Sequence, residues 1–287
     1  MLATRALTAL VGLPAGIALM YLGGWYWMAV IAVMMIKGQH ELLSAARKRG
    51  CQPCDALVYV FGLSLLLTVQ AAPGNWELRA VLSIVFVMAI MTLEVFRKSQ
   101  THFANAGVAL LAFFYIAWLM GYLVLMQRLE ASPSLERPSW PWTMPFGFSV
   151  LLYTFGVTWI TDTGAYLVGK NLGRSKLCPS ISPGKTVEGS YGAFLTAIVA
   201  SAVLGTGFIG LPIAHAVLLG VIMGVLGQLG DLAKSVLKRE AGIKDFGAVF
   251  PGHGGVLDRF DAVLFNAIII YYYVAALNPA AAVASSL

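Results

Sequence analysis

The sequence predicts an all-α fold: a polytopic integral membrane protein with about nine transmembrane helices. The first indication is the composition, since 59% of the 287 residues are hydrophobic, 11% are charged and the mean hydropathy is +0.80. A soluble domain carries about 25% charged residues, so this chain has too few charges to solvate a water-exposed surface. The second indication is the recurrence of apolar runs long enough to cross a bilayer.

The apolar runs follow one another along the chain. They cover residues 6–22, 25–43, 56–72, 79–96, 104–126, 147–169, 188–208, 212–230 and 261–278. The first run resembles a signal peptide, but no clear cleavage site precedes a soluble domain, so we interpret it as the first membrane helix. The second run is the least regular, because Lys37, His40 and Glu41 lie near its end.

The basic residues predict the orientation. Fifteen of the 19 fall on one side of the predicted membrane: Arg5, Arg47, Lys48, Arg49, Arg97, Lys98, Lys170, Arg174, Lys176, Lys185, Lys234, Lys238, Arg239, Lys244 and Arg259. The positive-inside rule assigns that side to the cytoplasm. We therefore expect a multi-pass protein of the cell inner membrane whose N-terminus and polar loops are cytoplasmic and whose C-terminus lies outside.

The chain shows no convincing repeat and no separate soluble domain, so we expect one continuous membrane domain. Residues 1–145 are predicted to be N-terminal scaffold helices, and residues 146–287 a C-terminal catalytic region with cytoplasmic polar loops. Residues 162–188 and 231–261 hold 16 of the 32 charged residues in 58 positions. Charges near a membrane are costly, so this clustering indicates function.

The net charge of +6 does not indicate a nucleic-acid partner, because most basic residues sit in short loops.

The block 231–261 begins on a helix and continues through a glycine-rich turn. Asp231, Lys234 or Ser235, and Lys238 recur at helical spacing and share one face. A structural pair of Asp231 with Lys234 or Ser235 is the alternative to a functional site. In the turn Phe-Pro-Gly-His-Gly-Gly of residues 250–255, the proline and the glycines exclude a regular helix and let a ligand approach the backbone.

The block 162–188 contains Ser-Pro-Gly-Lys-Thr-Val-Glu-Gly at 182–189. We expect Ser182 to be the N-cap of the next helix and Pro183 to occupy its first position. A helix N-terminus beside Lys185 is a natural phosphate site. It is not a Walker A loop, because position 179 is proline where that motif requires glycine.

Together the two blocks contain carboxylates, hydroxyls, clustered lysine and arginine, and flexible turns. Oxygen ligands with few histidines suit Mg²⁺ rather than zinc. Basic residues with Mg²⁺ favour phosphoryl or nucleotidyl transfer, in which charge on phosphates must be stabilised. His253 is the only histidine in these blocks. It is better explained by positioning a phosphate or stabilising the turn than by proton transfer, although a catalytic role stays open.

Residues 235–261 read Ser-x-x-Lys-Arg-(x4)-Lys-Asp-x-Gly-x-x-Phe-Pro-Gly-His-Gly-Gly-x-x-Asp-Arg-Phe-Asp. This pattern closely resembles the signature of the phosphatidate cytidylyltransferase, or CDP-diacylglycerol synthase, family. The segment 162–190, with its core Ser-Pro-x-Lys-Thr-x-Glu-Gly, resembles the same family, although Gly184 stands where a bulkier or basic residue is expected. The resemblance covers about the last 130 residues.

The resemblance implies an enzyme that transfers the cytidylyl group of CTP to phosphatidate in phospholipid biosynthesis, giving CDP-diacylglycerol and pyrophosphate. It further implies a homodimer in the lipid bilayer and a requirement for Mg²⁺, with a second metal ion left open. The implied metal ligands are Asp231 and Asp258. The nearest alternative is a membrane enzyme that uses CTP with another lipid, and a transporter of phosphorylated solutes is the alternative from another class.

The candidate site residues fall into two groups. The catalytic candidates are Asp231, Asp258, Lys185, Lys238, Arg239, Lys244, His253, Arg259 and Asp261. The substrate-binding candidates are Ser182, Pro183, Thr186, Glu188, Ser235, Gly254, Gly255 and Asp162.

Overall fold

The computed structural model describes residues 2–131, 144–249 and 254–277, with side chains from residue 12 onward. Over these residues the chain is almost entirely helical. The helices are α1 Leu2–Leu22, α2 Gly24–Arg47, α3 Asp55–Ala71, α4 Trp76–Phe96, α5 His102–Leu111, α6 Leu119–Gln127, α7 Phe146–Leu172, α8 Val187–Ile209, α9 Ile213–Ala241 and α10 Leu257–Leu277. A π-helical segment, Ala112–Trp118, joins α5 to α6 without a break.

Every apolar run of the sequence coincides with a helix, which confirms a helical membrane protein. Five helices among the described residues are long and apolar enough to cross a bilayer: Trp76–Phe96, His102–Gln127, Val187–Ile209, Ile213–Ala241 and Leu257–Leu277. The total of about nine spans stays a prediction. Many large apolar side chains on these helices are exposed, such as Phe96 at 83% and Val203 at 63%. Such a surface suits lipid rather than water.

The described residues form two compact units. The first contains residues 2–125, 240–249 and 254–259. Its core is built where α2 and α3 pack together and against the π-helical segment. Ile31, Leu66, Phe113 and Ile116 are almost completely buried there. The π-helical segment also makes a polar contact with α2: the Gln39 side-chain amide donates a 3.4 Å hydrogen bond to the Ala112 carbonyl.

The second unit contains residues 126–131, 144–239 and 260–277. The helices α7 and α8 pack along their length, and small residues allow it. A methyl group at Gly164 would lie within 3 Å of Thr196, and one at Gly192 would lie within 3 Å of Val168. A methyl group at Gly230 of α9 would lie within 3 Å of the Asp261 carbonyl of α10. The close approach of these helices brings their polar side chains together.

A two-stranded antiparallel hairpin connects α7 to α8, and the sequence did not predict it. The strands are β1 Lys176–Cys178 and β2 Ser182–Thr186, with Lys176 opposite Thr186 and Cys178 opposite Ser182. The prediction that Ser182 caps α8 with Pro183 at the first helical position is therefore wrong. The N-cap is Thr186, whose hydroxyl accepts a 3.1 Å hydrogen bond from the Gly189 amide.

Candidate active site

Four charged side chains in the second unit form a connected ion network. The Lys185 ammonium of β2 lies 2.6 Å from Asp231 of α9. Lys234, one turn after Asp231, lies 3.1 Å from the same carboxylate and also pairs with Asp261 of α10. The order of the network is therefore Lys185, Asp231, Lys234 and Asp261, with cation and anion alternating.

Exposure divides this network into an outer and an inner pair. The side chains of the outer pair are accessible, Lys185 at 25% and Asp231 at 34%. Those of the inner pair, Lys234 and Asp261, are each exposed at only 9%. A buried ion pair is costly to form but fixes geometry when its groups are satisfied. Lys234 of the inner pair therefore contacts Asp231 from its buried side, while both charges of the outer pair are accessible.

Asp162 lies close to the same network. It sits in the middle of α7, which runs ten residues beyond it to Leu172, and it interacts electrostatically with Asp231 and Asp261. Asn266 of α10 donates a 3.1 Å hydrogen bond to Thr158, also on α7. The Asn266–Thr158 hydrogen bond holds α7 against the helix that carries Asp261. Asp162, predicted as a substrate-binding residue, is thus brought to the network.

The hairpin that carries Lys185 is held at both ends. Its turn is fixed by Arg239, predicted as catalytic, which donates a 2.9 Å hydrogen bond to the Ile181 carbonyl. Its entrance is fixed by Glu188, whose carboxylate accepts hydrogen bonds from the Arg174 and Ser175 amides at 3.0 and 3.2 Å. The contacts of Arg239 and Glu188 therefore position Lys185.

Residues 254–258, at the start of α10, belong to the first unit and take part in two sets of carboxylate contacts. Asp258 Oδ2 accepts hydrogen bonds from the Phe246 amide at 3.0 Å and the Gly255 amide at 3.1 Å. Gly254 has φ 86°, a left-handed conformation that favours glycine. Glu41 of α2 accepts hydrogen bonds from the Val256 and Leu257 amides at 2.9 and 3.0 Å.

The remaining predicted residues have less distinctive positions. Ser235 donates a 2.8 Å hydrogen bond to the Asp231 carbonyl within α9, so its hydroxyl serves the helix. Lys244 and Arg259 are exposed, and Lys238 is half-buried. His253 lies outside the described residues. Pro183 and Gly184 are exposed on β2, and no atom lies within 4 Å of a methyl group placed at Gly184.

Sequence reasoning missed two residues that the structure brings to these sites. Lys234 was noted only as an alternative structural partner of Asp231, yet it joins both aspartates of the network. Glu41 was assigned to the scaffold half, yet it binds the turn before α10. A carboxylate in an apolar segment is a signal that could have drawn attention to Glu41.

The oxygen donors of the second unit fit a hard divalent cation. Asp231 and Asp261 already share one cationic nitrogen, Lys234 Nζ, so their carboxylates are placed to surround a positive charge. No group of three or more His, Cys, Asp or Glu side chains among the described residues is arranged as a metal cage. Mg²⁺ is usually held by one or two carboxylates together with substrate phosphates. Asp231 and Asp261 can supply the carboxylates.

The geometry joins a carboxylate pair to an accessible lysine, which suits binding of a phosphorylated substrate. The sequence profile of the Cytidylyltransferase family matches residues 3–277. The chain belongs to the cytidylyltransferase family.

Curated relatives of this cytidylyltransferase carry a common name. A "Phosphatidate cytidylyltransferase" of Synechocystis sp. is 34% identical over 289 residues, covering 96% of this chain and 97% of that protein. One of Staphylococcus aureus is 33% identical over 268 residues, covering 91% and 94%. One of Bacillus subtilis is 37% identical over 190 residues, covering 66% and 65%. The similarity to the first two spans both the scaffold half and the polar half of the cytidylyltransferase.

Proposed function

We propose that this chain transfers the cytidylyl group of CTP to phosphatidate, giving CDP-diacylglycerol and pyrophosphate in phospholipid biosynthesis. The observation that carries the proposal is the ion network of Lys185, Asp231, Lys234 and Asp261 in a chain of the cytidylyltransferase family. The names of the curated relatives support phosphatidate as the lipid substrate. The apolar helices support an enzyme that takes this substrate from a membrane.

The reaction is a displacement at phosphorus. A phosphatidate oxygen attacks the α-phosphorus of CTP, the new P–O bond forms, and the bond to the β-phosphate oxygen breaks to release pyrophosphate. The phosphate nucleophile is already anionic at neutral pH, so the reaction does not need a strong general base. The protein must instead align the two polyanions and screen their charges from each other.

The network supplies these functions through its two pairs. Lys185, on the accessible outer pair, is placed to exchange its contact with Asp231 for a substrate phosphate. Lys234 stays between Asp231 and Asp261 and keeps the Asp231 carboxylate oriented. Stabilisation of charge by groups that are already oriented is the largest contribution in many enzymes. The acyl chains of the lipid stay in the bilayer beside the apolar helix faces.

Mg²⁺ is the proposed cofactor. Asp231 is the proposed ligand in the second unit, with Asp261 beside it, and Asp258 is the proposed ligand in the first unit. When bound, the ion supplies Lewis-acid stabilisation of phosphate charge. Lys238, Lys244 and Arg259 are proposed to add positive charge for the triphosphate and lipid phosphate, and metal titration determines how many ions bind.

The proposed location is the cell inner membrane, with the N-terminus and the site on the cytoplasmic side and the C-terminus outside. The distribution of basic residues supports this orientation. A homodimer is the proposed assembly. Cysteine-accessibility labelling of the loops tests the orientation, and light scattering of the purified protein tests the assembly.

The experiment for the activity uses purified protein, labelled CTP, phosphatidate and Mg²⁺. We expect labelled CDP-diacylglycerol and a stoichiometric amount of pyrophosphate. A parallel reaction with an isoprenoid alcohol phosphate or an ether-linked phosphatidate tests the lipid class. Absence of CDP-diacylglycerol with every diacyl phosphatidate tested would refute the proposal.

A further inference from the structure

The buried carboxylate Glu41 makes contacts that the reaction scheme does not use. It lies on α2, in the half of the chain predicted to be scaffold, and only 5% of the residue is exposed. Both of its oxygens accept backbone hydrogen bonds, Oε1 from Val256 at 2.9 Å and Oε2 from Leu257 at 3.0 Å. These are the amides at the start of α10, which no earlier turn of that helix can satisfy.

The Glu41 carboxylate packs closely against two glycines, Gly247 and Gly255. A methyl group at Gly255 would lie within 3 Å of the Glu41 carboxylate, and so would one at Gly247. Along the same stretch of α2, a methyl group at Gly38 would lie 3.4 Å from the buried side chain of Leu257. The contact at Gly38 is ordinary van der Waals packing, whereas a side chain at Gly247 or Gly255 would force the Glu41 carboxylate to move.

The amides held by Glu41 immediately precede Asp258, the second residue of α10. Its carboxylate accepts hydrogen bonds from the Gly255 and Phe246 amides, so it ties the 245–247 segment to the start of α10. Glu41 and Asp258 therefore bind consecutive amides, Gly255 through Leu257, from two directions. Displacement of the Glu41 carboxylate would shift the backbone at residues 256 and 257, and with it the position of Asp258.

We infer that Glu41 is a positioning residue for catalysis: from the N-terminal half of the chain, it sets the backbone at residues 255–257 and thereby places Asp258. This inference rests on the proposed function, in which Asp258 is a metal ligand. Groups that orient such a ligand without touching the substrate typically change activity by about 10- to 100-fold when replaced. Small displacements of aligned groups have effects of similar size.

The first test replaces Glu41 by glutamine and by alanine. Glutamine keeps one acceptor oxygen and replaces the other with an NH2 group, a donor that faces a backbone amide donor. Alanine removes both acceptors. We expect kcat to fall about 10-fold in Glu41→Gln and about 100-fold in Glu41→Ala. The matched control is Glu94→Gln. Glu94 is a glutamate of similarly low exposure, at 8%, but its partners are Arg97, His102 and Asn105. The control should lose thermal stability and retain kcat within about twofold.

A second test perturbs the same contact without changing the charge of the Glu41 side chain. Gly255→Ala places a methyl group against the Glu41 carboxylate, and the φ of Gly255 is not in the left-handed region, so the backbone itself accepts alanine. We expect kcat to fall in Gly255→Ala, and to fall by a smaller factor when the same substitution is made in Glu41→Ala. Gly107→Ala is the control, because no atom lies within 4 Å of a methyl group there.

Hydrogen exchange separates this inference from the proposed activity. In the substrate-free protein, Glu41→Gln should accelerate exchange of the Val256 and Leu257 amides about 10-fold, and Glu94→Gln should leave them unchanged. If the wild-type protein makes no CDP-diacylglycerol, the proposed function fails while this exchange result still reports on Glu41. Unchanged exchange at both amides, or equal losses of kcat in Glu41→Gln and Glu94→Gln at equal thermal stability, would overturn the inference.

Discussion

Replacement of Lys234 by methionine tests the ion network most directly. The Lys234 side chain is 9% exposed, and it pairs with Asp231 at 3.1 Å and with Asp261. Methionine keeps the volume and removes the charge, so the buried Asp261 carboxylate loses its partner. Loss of one member of a buried pair costs about 3–5 kcal/mol, because the remaining charge stays buried without compensation.

This cost converts into a measurable thermal shift. Each 1 kcal/mol lowers the melting temperature of a domain of 150–250 residues by about 2–4 °C. Lys234→Met should therefore lower the unfolding midpoint in detergent by about 6–20 °C. Intrinsic fluorescence or thiol accessibility of Cys178 on β1 measures the midpoint. The control is Lys170→Met, because Lys170 is exposed near the end of α7 and its loss should change stability by roughly 0.5 kcal/mol or less.

A double variant shows whether the cost arises from the unpaired carboxylate. Asp261→Asn in the Lys234→Met background neutralises that carboxylate, so we expect it to recover part of the lost stability. Turnover should stay low in both variants, because Asp231 has lost the group that orients it. A midpoint within 2 °C of wild type in Lys234→Met, or a further loss in the double variant, would refute the described role of Lys234.

Three further predictions concern residues around the two sites. Asp258→Asn should abolish turnover while the protein still inserts and folds, and near-normal turnover would remove Asp258 from the proposed metal role. Lys185→Ala should raise KM for CTP and lower kcat with little loss of stability, since its side chain is 25% exposed; an unchanged KM and kcat would exclude it from phosphate binding. Thr186→Ala should cost about 1 kcal/mol by removing the N-cap of α8, as measured by denaturation, and an unchanged midpoint would show that the cap contributes nothing.

The sequence predicted helix positions well because one physical requirement dominates them. A span in a bilayer must satisfy every backbone amide internally, so an apolar run of sufficient length becomes a helix. Each predicted run therefore lies within a few residues of an observed helix. The largest extension is at α9, which continues through Lys238 and Arg239 to Ala241, because a helix can leave the membrane without ending.

The sequence predicted the site less completely because its contacts join distant parts of the chain. The hairpin strands are only three and five residues long, so neither has a measurable alternation of apolar and polar residues. Serine followed by proline at 182–183 favoured a helix start, whereas strand pairing with Lys176 and Cys178 determined the outcome. The pairing of Lys234 with Asp261 depends on tertiary packing of α9 and α10, which local spacing does not encode.

The contact of Glu41 with the start of α10 has a consequence for the timing of biosynthesis. Its two partners follow it by 215 and 216 residues. At a synthesis rate of about 5–20 residues per second, roughly 10–40 seconds pass between the appearance of Glu41 and that of Leu257. During this interval the two amides that satisfy the carboxylate do not yet exist, so it needs other hydrogen-bond donors, such as water. A nascent chain that buries it early would have to expose it again before the last helix could dock.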